Sequence, residues 1–101
     1  MWIQFNNAFL SIVENRDNKL ELLVRARIKG DIEKIFPDAD VFEDESADYR
    51  YRAFISKAKV AERMTLKMKE INYDNFKNSV KETNRKNAYS NVWMELRKLQ
   101  K

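Results

Sequence analysis

The sequence predicts an α+β fold: an antiparallel sheet of about four strands, made of an N-terminal meander and a central Tyr/Arg strand, packed against C-terminal helices. Three observations carry this. Two segments, Leu22–Ile28 and Tyr49–Ile55, alternate with a period of two. After Ser56 the apolar period changes to that of a helix. The strand signals all precede the long helical ones, and the 101 residues fit one domain.

Trp2–Phe5 is expected to form a short strand, with Asn6-Asn7 as a two-residue hairpin turn, because Asn tolerates left-handed backbone. The returning strand, Ala8–Glu14, sets Ala8, Leu10 and Ile12 on one side and Phe9, Ser11 and Val13 on the other. Asn15–Lys19 is a polar turn leading into the third strand, Leu20–Ile28. Asp31 is expected to cap a short helix over Ile32–Phe36 that Pro37 stops. Gly30, the single glycine, reads as a backbone joint, since a phosphate-binding loop needs further glycines.

Pro37–Asp48 carries six acidic side chains and no basic one, and reads as a loop. The central strand follows, with Tyr49, Tyr51, Ala53 and Ile55 opposite Arg50, Arg52 and Phe54. Ser56 caps a helix to about Asn72 whose apolar stripe is Val60, Ala61, Met64, Met68 and Ile71. Asp74 caps a short helix with Phe76 and Val80 inward. Thr83 or Asn84 caps the last helix, with Tyr89, Val92, Trp93, Leu96 and Leu99 as its stripe and Met94 off it.

Composition removes whole classes of chemistry. There is no cysteine, hence no disulfide framework or thiol nucleophile, and no histidine, the commonest general base and metal ligand near neutral pH. The usual zinc sites and Ser/His or Cys/His nucleophiles are therefore excluded. No cofactor is expected. No apolar run approaches the roughly 20 residues of a membrane span, and no leader is recognisable, so a cytoplasmic address and no membrane partner are expected. Charge is unevenly placed: residues 1–48 hold 6 basic and 11 acidic side chains, whereas residues 49–101 hold 14 and 5. Such asymmetry bears on partners.

Four candidate sites follow. Arg25, Arg27, Arg50 and Arg52 share one sheet face if their strands are neighbours, with Phe54 beside them as a stacking surface, a combination suited to single-stranded nucleic acid. The competing reading pairs these arginines with Glu14, Glu21 or the acidic loop. The second candidate is the basic helical half, led by Lys57, Lys59, Arg63 and Lys67, for which the partner is nucleic acid, a nucleoprotein or an acidic protein surface. The third is a homodimer joining the acidic and basic halves, with Trp2 and Met94 at the contact. The fourth is a cation held by oxygen: Asp38, Asp40, Glu43 or Asp44 as a simple site, or Asp31, Asp38 and Asp40 as the centre of a metal-dependent nuclease.

The segments Met1-Trp2-Ile3, Phe9–Val13, Val24–Arg27, Gly30–Glu33, Asp48–Phe54, Tyr73–Lys77 and Ala88-Tyr89 resemble a group of short bacterial hypothetical proteins. The resemblance implies a free-standing bacterial or phage protein and brings no activity or site with it. The sequence therefore points to a small non-enzymatic binding protein that recognises nucleic acid or a nucleoprotein. The alternative is a protein–protein inhibitor or adaptor, for example a phage-encoded blocker of a bacterial defence complex.

Overall fold

The structure is a computed structural model and describes residues 1–100. Five strands form one antiparallel sheet: β1 (Trp2–Gln4), β2 (Phe9–Glu14), β3 (Glu21–Ala26), β4 (Phe42–Glu43) and β5 (Tyr51–Ser56), in the spatial order β1-β2-β3-β5-β4. Four helices complete it: α1 (Asp31–Ile35), α2 (Lys57–Lys69), α3 (Phe76–Ser79) and α4 (Thr83–Leu96), with a 3₁₀ turn at Arg97–Leu99. The expected meander is present, and the Tyr/Arg strand lies beside β3. Five strands stand close to the about four expected, and the change is to the loop reading of Pro37–Asp48. Phe42-Glu43, inside the acidic stretch, pairs with Arg52 and Tyr51 at the sheet edge. Two residues are too few to show a period.

Alternation decides which side of the sheet is buried. Leu10, Ile12, Val24, Ala53 and Ile55 pack against Ile32, Ile35 and Phe36 from α1 and its C-terminal end, and against Val60 of α2. Each large side chain fully withdrawn from water there contributes about 1.5–3 kcal/mol. Ser56 caps α2, its side chain accepting from the Lys59 amide at 3.1 Å.

Other local expectations are corrected. β3 ends at Ala26, and Ile28 is exposed beyond it. Gly30, at φ 94°, occupies the N-cap position of α1 and makes no side-chain bond, while Asp31 lies inside the first turn and is buried. Asn75, not Asp74, caps α3 by accepting from the Asn78 amide. Glu82 precedes α4 in the cap position without a side-chain bond, in place of Thr83 or Asn84. On α2, Val60 is buried and Met64 half-buried, but Ala61, Met68 and Ile71 are exposed. Half-buried Arg63 takes a place on the inner side by donating from Nε to the Ile35 carbonyl at 2.8 Å, satisfying an acceptor at the end of α1.

The last helix departs furthest from expectation. Tyr89 of its stripe is buried, but Val92, Trp93, Leu96 and Leu99 are exposed. The side that docks is polar. Arg85 donates to both oxygens of Asp31, the Tyr89 hydroxyl donates to the Ala8 carbonyl at 3.0 Å, and Asp31 also accepts the Phe9 amide at 3.0 Å. Phe76 stacks on Tyr89 with ring centroids 5.7 Å apart, and Val80 is buried, so α3 faces inward as its pattern implies.

Candidate nucleic-acid interface

Helices α1 and α2 pack on the core side of the sheet. Register assembles the second side strand by strand, with Ser11 and Tyr49 buried and Trp2, Phe42 and Phe54 exposed. Antiparallel pairing aligns Trp2 with Ser11, Ser11 with Arg25, Arg25 with Arg52, and Arg52 with Phe42. Directly opposed residues present their side chains on the same side, so these five make one transverse row, about 19 Å long at the usual strand spacing. The adjoining row is Val13, Leu23 and Phe54. Trp2 is 74% exposed and lies edge-on to Phe9, with centroids 6.5 Å apart. At the other edge Phe42 and Phe54, both exposed, have centroids 5.7 Å apart. Two aromatic pairs therefore flank a pair of arginines.

Tyr49 organises those arginines. It precedes β5, outside the regular pairing, and its ring does not follow Tyr51, Ala53 and Ile55 to the core side as the alternation predicts. The guanidinium carbons of Arg25 and Arg27 lie 4.6 and 4.7 Å from its ring centroid, and Arg52 donates from Nη1 to its carbonyl at 3.2 Å. Arg25 also donates to Ser11 Oγ at 2.6 Å, while its Nε is buried with no partner among the described residues. Among the described residues none of these three arginines has a carboxylate within ion-pairing distance. Like charges set directly opposite repel. An anion placed over Arg25 and Arg52 would remove that repulsion.

The remaining candidates stand elsewhere. Arg50 is taken by Glu43 and Glu45, at 3.3 and 2.9 Å, and the bond it donates to Glu43 raises its pKa above the ordinary value. This is the internal pairing that competes with the arginine-face reading, and it claims one arginine of the four. Phe54 is on the face as expected. Lys57 is exposed at the start of α2, and half-buried Lys59 lines a separate hollow of about 360 Å³ with Asp38, Asp40 and Phe54. Arg63 is spent on the Ile35 carbonyl, and Lys67 pairs with Glu70 at 3.2 Å. The basic α2 surface is thus partly structural.

The acidic expectations separate from one another. Among the described residues no three His, Cys, Asp or Glu side chains are grouped so as to hold a metal ion, and Asp31 is committed to Arg85. Asp44 instead shapes its own loop: bonds from the Ser46 hydroxyl and amide hold its carboxyl below the usual range, and the Arg52 charge adds a smaller pull. No helix among the described residues is long and apolar enough to cross a membrane.

Sequence reading missed Tyr49 as the centre of the cluster, and Ser11, Trp2 and Phe42 as members of its row. Counting back from the expected Asn15–Lys19 turn sets Ser11 opposite Leu23. The observed pairing of Glu14 with Leu22 moves it two residues, to Arg25, which the turn residues did not signal. Comparison with known proteins returns no matching family model, no matching curated relative and no matching solved structure.

Proposed function

We propose that this chain is a non-enzymatic binding protein for single-stranded nucleic acid, alone or within a nucleoprotein, and that the open sheet face is where the strand lies. The observation that carries this reading is the cluster of Arg25, Arg27 and Arg52 around Tyr49, with no carboxylate among the described residues within ion-pairing distance and flanked by exposed Trp2, Phe42 and Phe54. Guanidinium groups supply phosphate attraction, and aromatic faces supply sequence-tolerant stacking to unpaired bases. A paired duplex hides its base faces, so stacking is open only to a single strand. The test is competition: an unlabelled single strand should displace a labelled one at lower concentration than duplex of the same sequence. Equal displacement by both would leave phosphate attraction alone and remove the stacking role.

A second reading, docking to an acidic protein surface or to another copy of the chain, is favoured by the exposed apolar side chains Met94, Leu96 and Leu99 on α4 and the turn after it. Trp93, beside Met94 in sequence and also exposed, is already engaged by cations of the chain. Lys77 Nζ stands 3.7 Å and the Arg97 guanidinium carbon 5.2 Å from its ring.

A further inference from the structure

Where α4 meets the β1–β2 hairpin there is a hollow of about 330 Å³, at the lower end of the range for small-molecule sites. Its walls are largely apolar and aromatic, from Phe9, Tyr89 and Val92. Two carboxamides, Gln4 and Asn84, line it, and neither side chain is hydrogen-bonded to another described residue. Arg27 stands at its margin without a carboxylate partner among the described residues. The Asp31 carboxylate also borders the hollow, but its charge is balanced by the bidentate Arg85 and by Lys34 at 3.6 Å.

This hollow joins the open face on two sides. Phe9 forms its wall and touches Trp2 at the end of the transverse row. Arg27 shares Tyr49 with Arg25 at the centre of the cluster. A planar heteroaromatic ring needs apolar faces to stack on, and its edge needs paired donors and acceptors, which a carboxamide provides in one group. A phosphate attached to that ring needs a cation beside the opening. All three requirements are met within one cavity.

We propose that the hollow between α4 and the β1–β2 hairpin is a nucleotide pocket that takes one unstacked base, with its phosphate on Arg27. The inference rests on the single-strand reading when the nucleotide belongs to a strand; a free nucleoside monophosphate offers the same chemistry from another source. Tyr89 and Phe9 supply the apolar walls, Gln4 and Asn84 face the base edge, and the neighbouring phosphates continue onto Arg25 and Arg52.

The experiment compares three probes by equilibrium titration of the full chain: a short oligo-deoxyadenylate, a strand of the same length made only of abasic sites, and adenosine monophosphate. The wild type should hold the base-bearing strand about tenfold or more tightly than the abasic one, the scale of one stacked base. Ala88→Trp, which fills the hollow from the α4 side, should narrow that gap to what stacking on Trp2, Phe42 and Phe54 supplies and leave the abasic affinity in place. Gln4→Ala combined with Asn84→Ala should narrow the gap without filling anything, and this variant decides the matter if Ala88→Trp does not fold. A gap undiminished in both variants overturns the pocket, while salt-sensitive strand binding keeps the sheet-face reading. No gap in the wild type overturns the pocket and the stacking role of the sheet face together. Saturable binding of the monophosphate that Ala88→Trp removes, with no strand bound, supports the pocket for a free nucleotide and ends the sheet-face reading. Failure of all three probes to bind overturns both.

Discussion

Arg85 Nη1 and Nη2 donate to Asp31 Oδ2 and Oδ1 at 2.9 and 2.8 Å, joining the first turns of α4 and α1 across 54 residues of chain. Both side chains are almost wholly withdrawn from solvent, at 2% and 1% exposure. Burial opposes the charge on Arg85, but the bonds to Asp31 and Tyr89 outweigh it and hold its pKa above the ordinary arginine value. Arg85→Met leaves the Asp31 charge buried without its partner and should cost about 3–5 kcal/mol in urea unfolding. Pairing it with Asp31→Asn should recover a large part of that loss. A single substitution costing less than about 1 kcal/mol would show that the pair does not anchor α4.

Tyr89 contributes to the loss of stability at alkaline pH. Burial raises its pKa above 10, and the neutral hydroxyl is also needed to donate to the Ala8 carbonyl. A raised folded-state value means that the folded chain keeps a proton the unfolded chain releases. Its contribution is therefore complete below about pH 10 and lost as pH rises through the folded value. Tyr89→Phe should cost about 0.5–1.5 kcal/mol at neutral pH, the worth of one hydrogen bond, and flatten the alkaline decline measured by chemical unfolding against pH.

Gly30 has φ 94° and nothing within 4 Å of where a Cβ would stand. The cost of Gly30→Ala is therefore purely one of backbone conformation, about 1–2 kcal/mol, and Gly30→Asn should cost less because Asn tolerates that region. Thermal unfolding of the two variants in parallel checks the order. Equal loss in both would point to a steric cause that the space around Gly30 does not contain.

Arg27 and Arg50 separate the free cation from the engaged one. Arg27→Gln should change stability by no more than about 0.5 kcal/mol, as expected of an exposed site, yet reduce affinity for a single strand and its salt dependence. Arg50→Gln removes a cation already claimed by Glu43 and Glu45 and should leave strand affinity unchanged. The reverse order in a binding titration would move the contact surface toward the acidic edge.

The sheet was legible because alternation is local: the Arg25/Arg27 and Arg50/Arg52 spacings on flanking segments imply neighbouring strands, and β3 does pair with β5 with Arg25 opposite Arg52. What stayed hidden depends on long-range geometry. Tyr49 turns toward the arginines because it precedes the paired part of β5, and the apolar period continues through it without a break. Asp31 looks like a helix cap until an arginine 54 residues away closes on it. Arg63 and Arg85 both read as solvated helix surface, since a periodicity argument assigns charge to the outside, and each spends its guanidinium on a carbonyl or carboxylate inside the fold. The exposed stripe of α4 is the complement of that error. Apolar spacing marks one side of a helix but does not say whether anything covers it.

The central claim is that Arg25, Arg27 and Arg52 hold phosphates. It is tested most directly by measuring single-strand affinity as a function of salt, for the wild type and for the Arg25→Gln, Arg27→Gln, Arg52→Gln triple variant. Three phosphate contacts predict a wild-type log–log slope of about −2, at roughly −0.7 per contact on single strands, and a slope near zero in a triple variant whose circular dichroism is that of the wild type. A folded triple variant that keeps the wild-type slope and affinity, or a wild type that binds no strand at low salt, would contradict it.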